Sequence, residues 1–161
     1  MTAPKPSPPF QAHDHAICVA SAMAAAEKIC GERGAQFTPV RRRTLEILLE
    51  AHVALGAYDV LAQLETSGFG SKPPVAYRAL AFLVEHGFAH RIERLNAFVA
   101  CTFPHEDHDP AFMICRSCGV VAETRATHDG LDASAANAGF QIEQTVVEAE
   151  GLCPICQAPA A

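Results

Sequence analysis

Residues 101–123 read CTFPHEDHDPAFMICRSCGVVAE, and no other part of the 161-residue chain holds metal-ligand side chains so densely. Within it, Cys115 and Cys118 form a Cys-x-x-Cys knuckle followed by Gly119; a second knuckle, Cys153 and Cys156, stands near the end of the chain with 34 residues between the two. Two intervening residues let a tight turn aim both sulfurs at one point, and glycine supplies the permissive backbone such a turn uses. Two knuckles point to a tetrathiolate zinc site on Cys115, Cys118, Cys153 and Cys156. A redox dithiol or disulfide pair is the competing reading, and it lacks the helix-opening context of a redox knuckle.

Around the knuckles the texture is that of a small α/β unit. Runs with strand propensity cover 111–114, 120–124 and 140–148, with a helix near 130–138. Edge strands in such a unit need covering, and a second copy of the chain can cover them. The preceding half is helical. Residues 1–12 contain four of the eleven prolines and no apolar period, so 1–15 reads as a disordered lead-in with His13 and His15 solvated. An alanine-rich helix is expected over 16–32, its Cys18 and Cys30 acting as small buried hydrophobes. Thr38-Pro39 opens a second helix as N-cap and first-turn proline. Tyr58, Val60, Leu61 and Leu64 mark a third, and Lys72-Pro73-Pro74 opens a fourth that runs to Gly87. Two β-prone runs, 88–94 and 97–103, then turn about Leu95-Asn96.

Helices followed by a hairpin make a winged-helix pattern, so the chain divides into a DNA-binding domain over 16–98 and a metal-binding domain over 99–161, α+β overall. A winged helix lays its last helix in the major groove, where an arginine reads a guanine edge. Arg78 is the base-reading candidate, with Tyr77 beside it and Lys72 and Arg41 as further DNA-contacting candidates. Arg41, Arg42 and Arg43 are consecutive, point in different directions and cannot all reach one partner.

Charge divides the same way: residues 1–98 carry 10 basic and 9 acidic side chains, the remainder 2 and 9, for a net −6. The near-neutral half can present a local basic face; the acidic half must do something else. No apolar run approaches the ~20 residues of a membrane span and the start lacks a signal-peptide core, which gives the expectation of a cytoplasmic protein. There the seven cysteines stay reduced, favouring zinc over disulfides.

A second constellation of ligand-type residues remains: His90, Cys101, His105, Asp107, His108 and Glu123. A His/Cys/His/Glu set suits Zn(II), whereas an all-nitrogen and oxygen set suits Fe(II) or Mn(II) better. Here TPVRRRTLEIL, KPPVAYRALAFLVEHGF, HEDHDPAFMICRSCGVV and GLCPIC together resemble the ferric-uptake-regulator family of metal-responsive repressors, over nearly the whole chain after residue 15, and most of all its zinc-responsive branch. The resemblance implies a homodimer, with 99–161 as its dimerisation domain, that binds a two-fold double-stranded DNA operator when zinc-loaded and represses zinc-acquisition genes. It implies structural zinc on Cys115, Cys118, Cys153 and Cys156 and regulatory zinc on His90, Cys101, His108 and Glu123, two ions per subunit. Many members carry His-His-Asp-His before the first knuckle and a later histidine; here the run is His105-Glu106-Asp107-His108 and the segment QTVVEAEG has no histidine. A third site would fall to His105, Asp107 and His128.

Three other readings bear on the same residues. An iron or peroxide sensor of the same family would use harder ligands than Cys101. A zinc hydrolase with Glu123 as general base needs an open coordination position, and neither an HExxH nor a nucleophile motif is present. A zinc-ribbon interaction module would leave the winged-helix pattern unexplained. The reading is therefore a regulator, with no small-molecule substrate and no membrane partner.

Overall fold

The computed structural model describes Phe10 and residues 15–157; the expected lead-in, including His13, lies outside the described residues apart from Phe10 and His15. Four helices come first: α1 (His15–Arg33), α2 (Pro39–Glu50), α3 (Ala57–Thr66) and α4 (Pro73–Glu85). Prolines sit in the first turns of α2 and α4, where the missing N–H costs nothing. Gly56 caps α3, its N–H donating to the Asp59 carboxylate at 3.0 Å. The core of this unit gathers Ile29 and Cys30 of α1, Leu45 and Leu48 of α2, Val60 and Leu64 of α3, and Leu80 and Leu83 of α4. Cys30 is a buried small hydrophobe as expected, but Cys18 is exposed: it falls on the outer face of α1. His15, expected to be solvated, packs instead against the His52 ring, centroids 4.5 Å apart.

Strands β1 (Ala89–Ile92) and β2 (Ala97–Ala100) pair antiparallel as the wing, turning through a short 3-10 segment and Asn96 in the left-handed region at φ 47°. Position 98, taken as the domain boundary, lies inside β2. Strands β3 (Ala111–Cys115), β4 (Val121–Thr124) and β5 (Val147–Gly151) form a second sheet in the order β4-β3-β5, with α5 (Asp129–Ala138) crossing between β4 and β5 and a short α6 (Pro154–Gln157) at the end. The third strand is not where expected: residues 140–146 form no strand, and β5 runs parallel to β3 from Val147.

Three contacts join the two units. Residues 52–55 act as a strap, Leu55 exchanging both backbone hydrogen bonds with Phe98 of β2 while Val121 N–H donates to the His52 carbonyl at 3.0 Å. Ile92 of the wing is fully buried against Phe112, Ile114 and Val121 of the second sheet. At the wing tip, Glu93 N–H donates to Glu148 and Arg94 pairs with Glu150 at 2.6 Å. The wing is therefore shared property of both units, and what fixes it fixes their relative placement.

Candidate metal centres and DNA-contacting helix

The first knuckle is placed by β3. Cys115 ends that strand, Gly119 N–H donates back to the Cys115 carbonyl at 2.9 Å, and Gly119 takes φ +76°, which a side chain would strain. The parallel ladder aligns Cys115 with Gly151, so the chain leaves β5 directly into Cys153 and Cys156. One sulfur from each of Cys115, Cys118, Cys153 and Cys156 lies within 4.8 Å of the others. Cys118 and Cys153 are 3.8 Å apart, far beyond a disulfide's ~2.05 Å. That separation matches the edge of a tetrahedron with Zn–S bonds of ~2.3 Å, about 3.8 Å. Backbone N–H groups of Cys118 and Cys153 pull the Cys115 thiol down to about 6, so it is a thiolate at neutral pH. Cys156 behaves oppositely: a hydrogen bond with Ser117 favours its thiolate, but sharing protons with the neighbouring thiols pushes it up to about 11.

The second cluster joins the two units. His90 stands on β1, Cys101 just past β2, His108 on the connecting loop and Glu123 on β4, again within 4.8 Å of one another. His108 Nε2 is 2.7 Å from Glu123 Oε1, and the Cys101 sulfur is 3.8 Å from His108 Nε2 and 3.9 Å from Glu123 Oε1. His90 Nε2 is buried 3.0 Å from Glu123 Oε1, close enough to pair with it but too poorly angled for a well-formed hydrogen bond. A buried nitrogen aimed at a shared point without a proton partner is costly unless a cation takes its lone pair. Nitrogen, sulfur and carboxylate oxygen in fours is a zinc donor set, so the residues fit that ion.

Supporting hydrogen bonds orient the ligands. His108 Nδ1 donates to the Glu106 carbonyl at 2.8 Å, which leaves Nε2 as the lone-pair nitrogen facing the cluster. Thr102 N–H donates to Glu123 Oε2 at 2.6 Å and Phe103 N–H to the Cys101 sulfur at 3.3 Å. Burial pushes the Cys101 thiol up to about 12, helped by the nearby Glu123 charge. Burial alone would raise Glu123 too, but the adjoining His90 ring and the Thr102 N–H hold its carboxyl below the usual range. For His108 burial favours the neutral ring, and the Glu106 carbonyl and Glu123 outweigh it, raising its pKa.

The third candidate set is not assembled: among the described residues His105, Asp107 and His128 belong to no ligand cluster. The loop turns His108 inward and leaves His105 and Asp107 exposed, while His128 precedes α5. Of the candidate DNA contacts, Lys72, Tyr77 and Arg78 are exposed at the start of α4. The three consecutive arginines do go separate ways. Arg41 lies over the Phe82 ring at 3.8 Å, Arg42 over Phe37 with an ion pair to Glu27, and Arg43 against Glu46 at 3.1 Å. Arg41, a candidate DNA contact, is thus also a packing residue between α2 and α4.

A helical head with a wing, joined across a His/Cys/His/Glu cluster to a sheet that brings four cysteines together, is the build of a winged-helix protein with two clusters able to hold metal. No family model matches the chain. It is 41% identical over 137 residues to the zinc uptake regulation protein of Escherichia coli (strain K12), a match spanning 83% of this chain and 80% of that one, and the chain belongs to the zinc uptake regulation protein family. The structure of a zinc uptake regulator complexed with zinc and DNA superposes with a TM-score of 0.81 at 39% identity, over 86% of this chain and 94% of that one. Holo XcZur matches at 0.76 and 37% identity, over 84% and 96%, whereas apo XcZur reaches only 0.51 at 38%, over 88% and 99%. The chain thus superposes more closely on the holo form than on the apo form. Among the described residues no helix is long and apolar enough to cross a membrane.

Proposed function

We propose that this protein is a cytoplasmic, zinc-responsive transcriptional repressor, not an enzyme, that binds a two-fold operator as a zinc-loaded homodimer and shuts off zinc-uptake genes. The observation that carries it is the second cluster: four zinc-type ligands converge from the wing, the connecting loop and the second sheet, so metal occupancy and head placement are one variable. Cys115, Cys118, Cys153 and Cys156 hold a structural zinc; His90, Cys101, His108 and Glu123 hold the regulatory one, two per subunit. Bound zinc supplies a cation that neutralises Glu123 and the Cys101 thiolate and ties the wing to β4. The division is a DNA-binding domain from 16 to the end of β2 at Ala100 and a dimerising domain beyond it. A second copy covers the apolar groove lined by Leu131, Ala135, Phe140, Ile142 and Val146, an open face beside α5.

In this reading the residues of the wing and strap hold both α4 helices of a dimer at one separation, so that Arg78, with Tyr77 and Lys72, enters two successive major-groove half-sites. Arg41 steadies α4 through Phe82. Turning a 1:99 population of the DNA-competent arrangement into 99:1 takes about 5.5 kcal/mol of differential binding, and by linkage operator DNA tightens zinc by the same factor. The test is operator-fragment binding against buffered free zinc, counting bound zinc at each point. A step from one to two zincs per subunit coinciding with tight DNA binding supports the proposal; tight binding with one zinc throughout refutes the sensing mechanism.

A further inference from the structure

We propose that Arg125 is a positioning residue for the regulatory centre, latching the 102–108 loop over it and so setting how long the centre keeps its metal. The inference rests on reading His90, Cys101, His108 and Glu123 as a zinc site. The loop is neither helix nor strand, so no ladder of backbone bonds holds it. Nevertheless its polar groups turn inward: Thr102 N–H to Glu123, Phe103 N–H to the Cys101 sulfur, the Glu106 carbonyl to His108 Nδ1. Something must hold such a loop closed, because an ordered segment without its own secondary structure opens readily.

Arg125, two residues beyond Glu123, grips the loop at two points. Its guanidinium pairs with the Glu106 carboxylate and lies over the Phe103 ring, 4.5 Å from the centroid. Phe103 in turn meets the His108 ring edge-on at 5.6 Å. One side chain thus bears on the residue that carries the carbonyl partner of His108 and on the ring that packs against that ligand. The Arg125 and Glu106 side chains are 55% and 51% exposed, so the pair adds little to global stability; its effect is local, on His108, the ligand this loop carries. A planar guanidinium can bridge a carboxylate and stack on a ring together, whereas an ammonium cannot.

The experiment is chelator-driven zinc release from the full-length protein, with the tetrathiolate zinc as internal reference and melting temperature measured alongside. Arg125→Glu and Glu106→Arg should each speed release of the second zinc by about 3–10-fold, with tetrathiolate release and melting temperature unchanged. Arg125→Lys should fall between. The double variant Glu106→Arg with Arg125→Glu, which restores the pair in reverse, should recover most of the slow release. Unchanged release in both single variants, or a double variant as fast as the singles, overturns the latch while the centre stands. A wild-type protein that never takes up a second zinc overturns the reading of the centre, and the latch with it.

Discussion

Ile92 is the wing residue most committed to the second unit, and its truncation tests whether docking of the wing is what the operator senses. It is fully buried, and three of the five hydrophobic residues clustered with it, Phe112, Ile114 and Val121, belong to the second sheet. Ile92→Ala should cost about 2–5 kcal/mol, transfer and cavity together, with much of the loss falling on the docked arrangement. A protein held 99:1 in that arrangement by zinc would drop to about 3:1 at the lower figure and about 1:50 at the upper. Apparent operator affinity scales with the competent fraction, so it should fall by between about 1.3-fold and about 50-fold at saturating zinc. Ile92→Val, at about 0.5–1.5 kcal/mol, should be nearly silent in DNA binding while still lowering the melting temperature. The assay is operator-fragment titration at saturating buffered zinc, with zinc content and melting temperature measured on the same samples. An Ile92→Ala protein whose melting shift reports a loss near the upper figure, yet which binds both zinc and operator as the wild type does, would show that docking through this cluster is not what zinc sets.

Cys101→Ser should lower affinity for the second zinc and for the operator while the dimer stays folded, whereas Cys115→Ser should impair folding itself; zinc counts and sedimentation separate the two, and normal zinc-dependent DNA binding by Cys101→Ser would remove Cys101 from the sensing site. Arg78→Ala should weaken specific binding by about 1–3 kcal/mol if it makes a bidentate base contact, and unchanged operator affinity would take it out of the reading role. Because the metal-free Cys101 thiol is pushed up to about 12, zinc must displace its proton, so affinity at this centre should rise about tenfold per pH unit through the neutral and mildly alkaline range. His108, with its raised pKa, adds a second proton at lower pH and steepens the slope there; a flat profile would contradict the assignment.

The helices were legible because their signals are local: prolines at the first turns of α2 and α4, and apolar spacing through Leu80 and Leu83. The tetrathiolate was legible because two knuckles are each short-range. The strand β5 was misplaced for a physical reason. Phe140, Ile142 and Val146 have strand propensity but line an open groove, while the paired strand reads Val-Glu-Ala-Glu-Gly, and its parallel register against β3 depends on residues some 36 positions away. The strap at 52–55, between the second and third helices, carries no signal of its own in the sequence. Its single-residue pairings with Phe98 and Val120 leave no periodic trace in sequence. Among His105, Asp107 and His108, composition alone offered no choice of ligand; the hydrogen bond from His108 Nδ1 to the Glu106 carbonyl, which turns that ring inward, supplies one.

The two centres also differ in what they present before metal arrives, and that difference argues for the division of labour between them. At the tetrathiolate, backbone N–H donors hold Cys115 down to about 6, so one thiolate is ready at neutral pH. Capture can begin there without removing that proton. At the second cluster burial, reinforced by Glu123, keeps its one sulfur protonated, and His90 Nε2 meets Glu123 at 3.0 Å without a well-aligned hydrogen bond. Metal binding there must expel the Cys101 proton, as it must expel the Cys156 proton at the tetrathiolate, but only here is a ligand, His108, carried by a loop with no strand or helix of its own. On the proposed reading, the cluster that closes on a loop ligand and joins the wing to β4 is the one suited to report on free zinc.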